Sequence, residues 1–117
     1  MRIDEVTYND AEPVDGYGDG FFRIGGKAHH GAVLTGPAGT AGWGGPEDAD
    51  PLLALSGQID VLLVGTGAEI AHIPGPLRAA LEGAGIGVEV MNSPAACRTY
   101  NVLLAEGRRV AVALLPV

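Results

Sequence analysis

Apolar residues along this chain fall into short runs punctuated by glycine and proline, and the run lengths predict strands alternating with helices. Residues 59–64 form an apolar run of the kind a strand covered on both faces requires. Beyond the turn Gly65-Thr66-Gly67, a loop leads to Pro74-Gly75-Pro76. Pro76 suits the first turn of a helix, and Leu77, Ala80, Leu81 and Ala84 recur at helical core spacing. Gly83 and Gly85 stop that helix, and residues 86–91 read as the next strand. Ser93-Pro94 reads as an N-cap followed by a first-turn proline, opening a helix that runs to about Glu106 and ends at Gly107. Residues 108–115 are the last strand.

Turn chemistry organises the first half. Residues 21–24 and 28–34 are β-rich and flank Gly25-Gly26, whose tolerance of positive φ predicts a β-hairpin. Residues 15–20 and 36–51 read as loops, the second carrying Trp43 as a lid on the edge of the core. Strands alternating with helices argue for an α/β fold with helices layered on the sheet and the N-terminal hairpin as an added element. At 117 residues there is room for one domain, residues 1–117.

Composition narrows the function classes. Hydrophobic residues make up 47% and charged residues 18%, which is globular and not disordered. The net charge of −7, with no basic patch, opposes nucleic-acid binding because phosphates would be repelled. The single Cys97 cannot form an internal disulfide, which fits a reducing compartment. Met1-Arg2-Ile3-Asp4-Glu5 is neither a secretory signal nor an acid-poor transit peptide, so a bacterial cytoplasmic location is expected. A mitochondrial matrix location would require a mature form that has lost its transit peptide. The longest apolar runs fall far below the roughly 18 residues of a membrane helix.

Few residues suggest chemistry. The turn after Val64 has glycines at a strand exit, but Ile70 stands where a dinucleotide fingerprint needs a third small residue, and no P-loop lysine follows. His29 and His30 are adjacent on a predicted strand and project to opposite faces, so they do not chelate together; no metal or cofactor is expected. Around the helix at 93–106, Ala96, Thr99, Tyr100 and Leu103 share one face, Arg98 and Asn101 the opposite one, and Cys97 the flank. Near a helix start Cys97 could be a reactive thiol, although with no base in view a packed small hydrophobe is favoured. If the strands at 59–64 and 86–91 are parallel neighbours, Gly65, Thr66 and Gly67 come beside Ser93 and Arg98, where open α/β sheets place clefts. Such a cleft would prefer anions.

The runs Gly65-Thr66-Gly67, Ala95-Ala96-Cys97-Arg98-Thr99-Tyr100-Asn101 and Glu106-Gly107-Arg108-Arg109-Val110 resemble a small family of bacterial and archaeal domains. That family includes mitochondrial complex I assembly factor 3 and the adipogenesis-associated domain-containing protein. The resemblance extends to Gly20-Phe21-Phe22-Arg23 and Gly31-Ala32-Val33-Leu34, nearly the whole chain. It implies a three-layer fold around a mixed, mainly parallel five-stranded sheet with one strand antiparallel to the rest. It also implies no established catalytic residues and action through protein partners such as respiratory-complex subunits or other assembly factors.

The expectation is therefore a non-enzymatic interaction or assembly factor, with Arg98 and Asn101 on its partner surface. Two rivals stand beside it: a ligand-binding protein or enzyme using the cleft, and a structural subunit of a larger complex.

Overall fold

The computed structural model describes residues 11–117, so the reading of Met1-Arg2-Ile3-Asp4-Glu5 concerns residues outside those described. Glycine turns dictate the first part of the fold. Strands β1 (Val14–Gly18), β2 (Phe21–Ile24) and β3 (Lys27–His30) form an antiparallel sheet. Gly25 and Gly26, at φ 58° and 80°, make the expected two-residue turn between β2 and β3. Residues 15–20, expected to be a loop, instead contribute most of β1. Pairing with β2 supplies the order that their glycine-rich composition does not, and an irregularity between Val14 and Gly16 hides the alternation.

The predicted strand at 28–34 is two strands in two sheets. Gly31, at φ 83°, breaks it, and β4 (Val33–Gly36) crosses to a second sheet. A second correction follows in residues 36–51, which hold the strand β5 (Gly39–Gly42) and the start of the short helix α1 (Asp50–Leu53). Trp43 behaves as a lid: it is buried in the core, and its Nε1–H donates to Asp48 O at 3.1 Å.

The remaining elements follow the apolar pattern: β6 (Val61–Thr66), α2 (Gly75–Gly83), β7 (Gly87–Met91), α3 (Ser93–Ala105) and β8 (Val110–Leu115). The second sheet has five strands in the order β5-β4-β8-β6-β7. β6 pairs in parallel with β7 and with β8, whereas β4 is antiparallel to both β8 and β5. One strand, β4, thus opposes the other four. Strands β6 and β8 occupy the middle, which explains their near-unbroken apolar sequences.

Successive strand residues face opposite ways, so the sheet divides two cores. On one face Leu62, Val64, Ala111 and Ala113 pack with Leu52, Leu55, Leu77 and Leu81 beneath α1 and α2. On the other, Leu63, Val110, Val112 and Leu114 pack with Ala96, Cys97 and Tyr100 of α3 and with Phe22 and Ile24 of the three-stranded sheet. The architecture is a three-layer α/β fold. Ala80, expected in the core, is exposed because α2 buries only Leu77 and Leu81 along a narrow stripe.

Helix α3 departs from its helical wheel for a definite reason: it lies between two sheets, so its buried arc is wide. Cys97, placed on the flank by spacing, is only 4% exposed. Asn101, placed on the outer face, is half-buried and grips β1. Its Oδ1 accepts from Val14 N–H at 2.8 Å and its Nδ2 donates to Val14 O at 2.8 Å. A carboxamide used in this way stands in for the missing neighbour of an edge strand. Tyr100 adds a second tie, donating its hydroxyl to Glu12 O at 3.0 Å. The helix cap also differs from expectation: Asn92 is the N-cap, its Oδ1 accepting from Ala95 N–H at 2.8 Å, with Ser93 and Pro94 inside the first turn.

Replacing Asn101 with alanine leaves both backbone groups of Val14 without their partner. The expected loss is about 1–3 kcal/mol by urea unfolding, with faster amide exchange in β1 than in β6.

Candidate functional site

The parallel register of β6 and β7, with Gly65 opposite Met91, brings the two strand ends together, and α3 begins almost at once. Gly65, Gly67 and Ser93 therefore meet, as the predicted strand order requires. Ser93 is fully buried there and joins three strand ends. Its N–H donates to Gly67 O at 2.7 Å, its Oγ accepts from Gly67 N–H at 2.9 Å, and the same hydroxyl donates to Leu115 O at 2.6 Å.

Gly65 is a close-approach glycine. A Cβ there would stand 2.8 Å from Ser93 Cα, a backbone atom that cannot step aside. At Gly67, φ is 98° and a Cβ would meet Pro116 O at 3.3 Å. Thr66 closes the turn: its Oγ1 lies 2.9 Å from Glu69 O and 3.2 Å from Met91 O, and accepts from Ala71 N–H at 2.9 Å. The polar groups at the junction are thus bonded to one another. Arg98 stands further along α3 with its side chain exposed to solvent.

The thiol of Cys97 is protected. Burial pushes its pKa up to about 11, against a smaller downward pull from the Arg98 guanidinium. That favours the protonated, apolar-packed thiol at neutral pH. Burial likewise pushes the Tyr100 phenol up to about 12. Close to it, the hydroxyls of Thr35 and Thr40 are 2.7 Å apart.

Consecutive positions on β3 carry His29 and His30, while His72 is in an exposed loop. Among the described residues no group of three or more His, Cys, Asp or Glu side chains could hold a metal ion. A feature that spacing did not signal is a hollow of about 230 Å³ lined by Ile70, Ala71, His72, Ile73, Arg78 and Val90. It lies beside the β6–α2 loop, whose path no periodicity announces.

A family model described as "Protein of unknown function (DUF498/DUF598)" matches residues 14–115. The chain belongs to this family. Among DUF498/DUF598 relatives, an uncharacterised Rhodobacter capsulatus protein is 50% identical over 116 residues, 99% of this chain and 94% of its own. NADH dehydrogenase [ubiquinone] 1 alpha subcomplex assembly factor 3 of Danio rerio is 44% identical over 62 residues, and its Homo sapiens counterpart 39% over 62 residues. That stretch is 53% of this chain but only 36% and 34% of those proteins. The crystal structure of a Bartonella henselae protein described as an outer membrane protein superposes with a TM-score of 0.86 at 41% identity, covering 95% of this chain and 99% of that one. A Pyrococcus horikoshii protein at 17% identity, with a TM-score of 0.63 over 89% of this chain and 98% of its own, shares the fold alone. In the DUF498/DUF598 chain described here, among the described residues, no helix is long and apolar enough to cross a membrane.

Two outcomes follow from the junction and its neighbours. Gly65→Ala should cost about 1–3 kcal/mol or more by urea unfolding, because α3 must move to admit one methyl group. The second concerns pH. In the unfolded chain the thiol and phenol return to ordinary values of 9.0 and 10.0, so both groups are raised in the fold, which favours their neutral forms. Their contribution is fully present below about pH 9 and is lost as pH rises towards 11 and 12. Urea midpoints across that window should fall more steeply for the parent protein than for a Cys97→Ala, Tyr100→Phe double variant.

Proposed function

We propose that this chain is a non-enzymatic protein-interaction factor serving the assembly of a membrane complex, with respiratory complex I as the assembly its named relatives indicate. The observation that carries this reading is the bonding of the junction's groups to one another. Open α/β sheets hold substrates outside the carboxyl ends of parallel strands, and here Ser93, Gly67 and Leu115 bond one another across that place. Chemistry available to a partner then lies on the outside. Arg98 and Val102, one helical turn apart on α3, are both exposed, Val102 by 56%. A guanidinium beside an apolar side chain is a common interface anchor. Asn101, expected to share that surface, is committed to Val14, so the proposed contact rests on Arg98 and Val102. A cytoplasmic setting accords with a free, buried thiol.

The Arg98→Glu, Val102→Asp double variant tests this. Both positions face solvent, so the Tm should stay within a few degrees, while capture of respiratory-complex subunits by the tagged protein from its host should be lost. Undiminished capture by the folded variant would remove α3 from the partner surface.

A second reading has one observation in its favour, the hollow beside His72 and Arg78, which suits a small carboxylate. Titration with acetate should move the backbone resonances at 70–73 if that reading holds.

A further inference from the structure

The five-stranded sheet has two margins, β7 and β5, and they differ. At β7, Gly87 N–H donates to Asp60 O at 2.9 Å, so the alternate residue Val88 turns its backbone groups outward. Arg78 Nη1 donates to Val88 O at 3.3 Å, a guanidinium blunting that edge. At β5, Trp43 N–H donates to Ala32 O at 3.0 Å, which sets the phase of the ladder with β4. Ala41, opposite Leu34, then bonds inward, while Thr40 and Gly42 direct N–H and C=O groups outward. Among the described residues nothing blunts this edge: β5 contains no charge and no proline, and Gly39, Ala41 and Gly42 are exposed.

Both faces beside β5 are hollow. On the α1 side lies an apolar recess of about 270 Å³ bounded by Leu34, Ala41, Pro51, Ala54 and Leu55. On the side of the three-stranded sheet a cleft of about 360 Å³ is lined by Glu12, Lys27, His29 and Thr40. A segment laid along β5 would send successive side chains alternately into the two. Charge gives the segment a polarity. Lys27 lies at the Gly39 and Thr40 end, where the Glu12 carboxylate is folded onto Gly25. At the other end, two residues past Gly42, the Asp48 carboxylate accepts from Gly44 N–H at 3.0 Å.

We propose that β5 is a strand-addition site for an extended segment of a protein partner. The segment carries apolar side chains for the recess at Leu34 and Leu55, a carboxylate facing Lys27, and a lysine or arginine facing Asp48. Main-chain bonds to Thr40 and Gly42 supply the affinity, and the two hollows with their end charges supply the choice of partner. The inference deepens the interaction reading and rests on it only in taking the occupant to be a protein.

Two synthetic peptides, acetyl-Glu-Leu-Thr-Leu-Lys-amide and its reverse order, probe both strand directions against the full ¹⁵N-labelled chain. At least one should shift the amides at 39–43 together with those of Lys27 and Leu55. Gly42→Pro removes an outward N–H without touching the ladder to β4, and should weaken binding on the order of tenfold or more. Gly42→Ala keeps that N–H, and a Cβ there meets nothing within 4 Å, so it should bind as the parent does. Lys27→Glu should weaken binding several-fold, and should Gly42→Pro fail to fold, this variant decides. The proposal is overturned if neither peptide moves these amides at millimolar concentration, if binding is unchanged in Gly42→Pro or Lys27→Glu, or if light scattering shows a dimer whose β5 amides are protected without peptide. Peptide binding with no capture of complex subunits would sink the assembly reading alone; capture without peptide binding would sink the strand-addition site alone.

Discussion

The fold depends on α3 being wanted by two sheets at once. One side of the helix covers β6 and β8 through Ala96, Cys97 and Tyr100, and another holds the three-stranded sheet through Asn101 and the Tyr100 hydroxyl. A three-stranded antiparallel sheet of four- and five-residue strands is marginal alone, and this one persists because Phe22 and Ile24 share the core beneath α3. The helix start is pinned as tightly. Asn92 caps it, Ser93 bonds to Gly67 and Leu115, and Gly65 lets the backbones touch.

This double burial sorts the polar residues of α3 into structural and available ones. Asn101 satisfies Val14 and Ser93 satisfies two strand ends, so each would be missed by the fold before it was missed by a partner. Arg98 and Val102 carry no such duty. Cys97 belongs with the first group, since the same packing that hides it also keeps its proton on.

Strands β6 and β8 were legible because each buries a near-continuous apolar run, and β7, α2 and α3 because their apolar residues recur at strand or helix spacing between glycine and proline turns. The strands β1 and β5 were not. Both are rich in glycine, and only cross-strand pairing makes them strands, a property of the partner and not of the segment. Gly31 ends β3 by backbone conformation alone, which composition cannot distinguish from a strand glycine. At the candidate site, the meeting of Gly65, Gly67 and Ser93 followed from two parallel strands. What the strand order did not announce is that Leu115 and Pro116 also reach this junction, from a segment distant in sequence. Asn101 was misplaced because a helical wheel assumes one buried face, and α3 has more.

The strand order also has a temporal meaning. β8 lies between β4 and β6, so the two halves of the central sheet touch its residues and not each other. A ribosome delivers β4, β6 and β7 first, and these must wait, edges exposed, for residues 110–115. Domains generally fold as units during synthesis, and the unit here is complete only once β8 has joined the sheet. A nascent chain that stalls before β8 presents unpaired apolar strand edges to whatever quality control surrounds it, whereas one that goes on to supply β8 hides them in a single closing event.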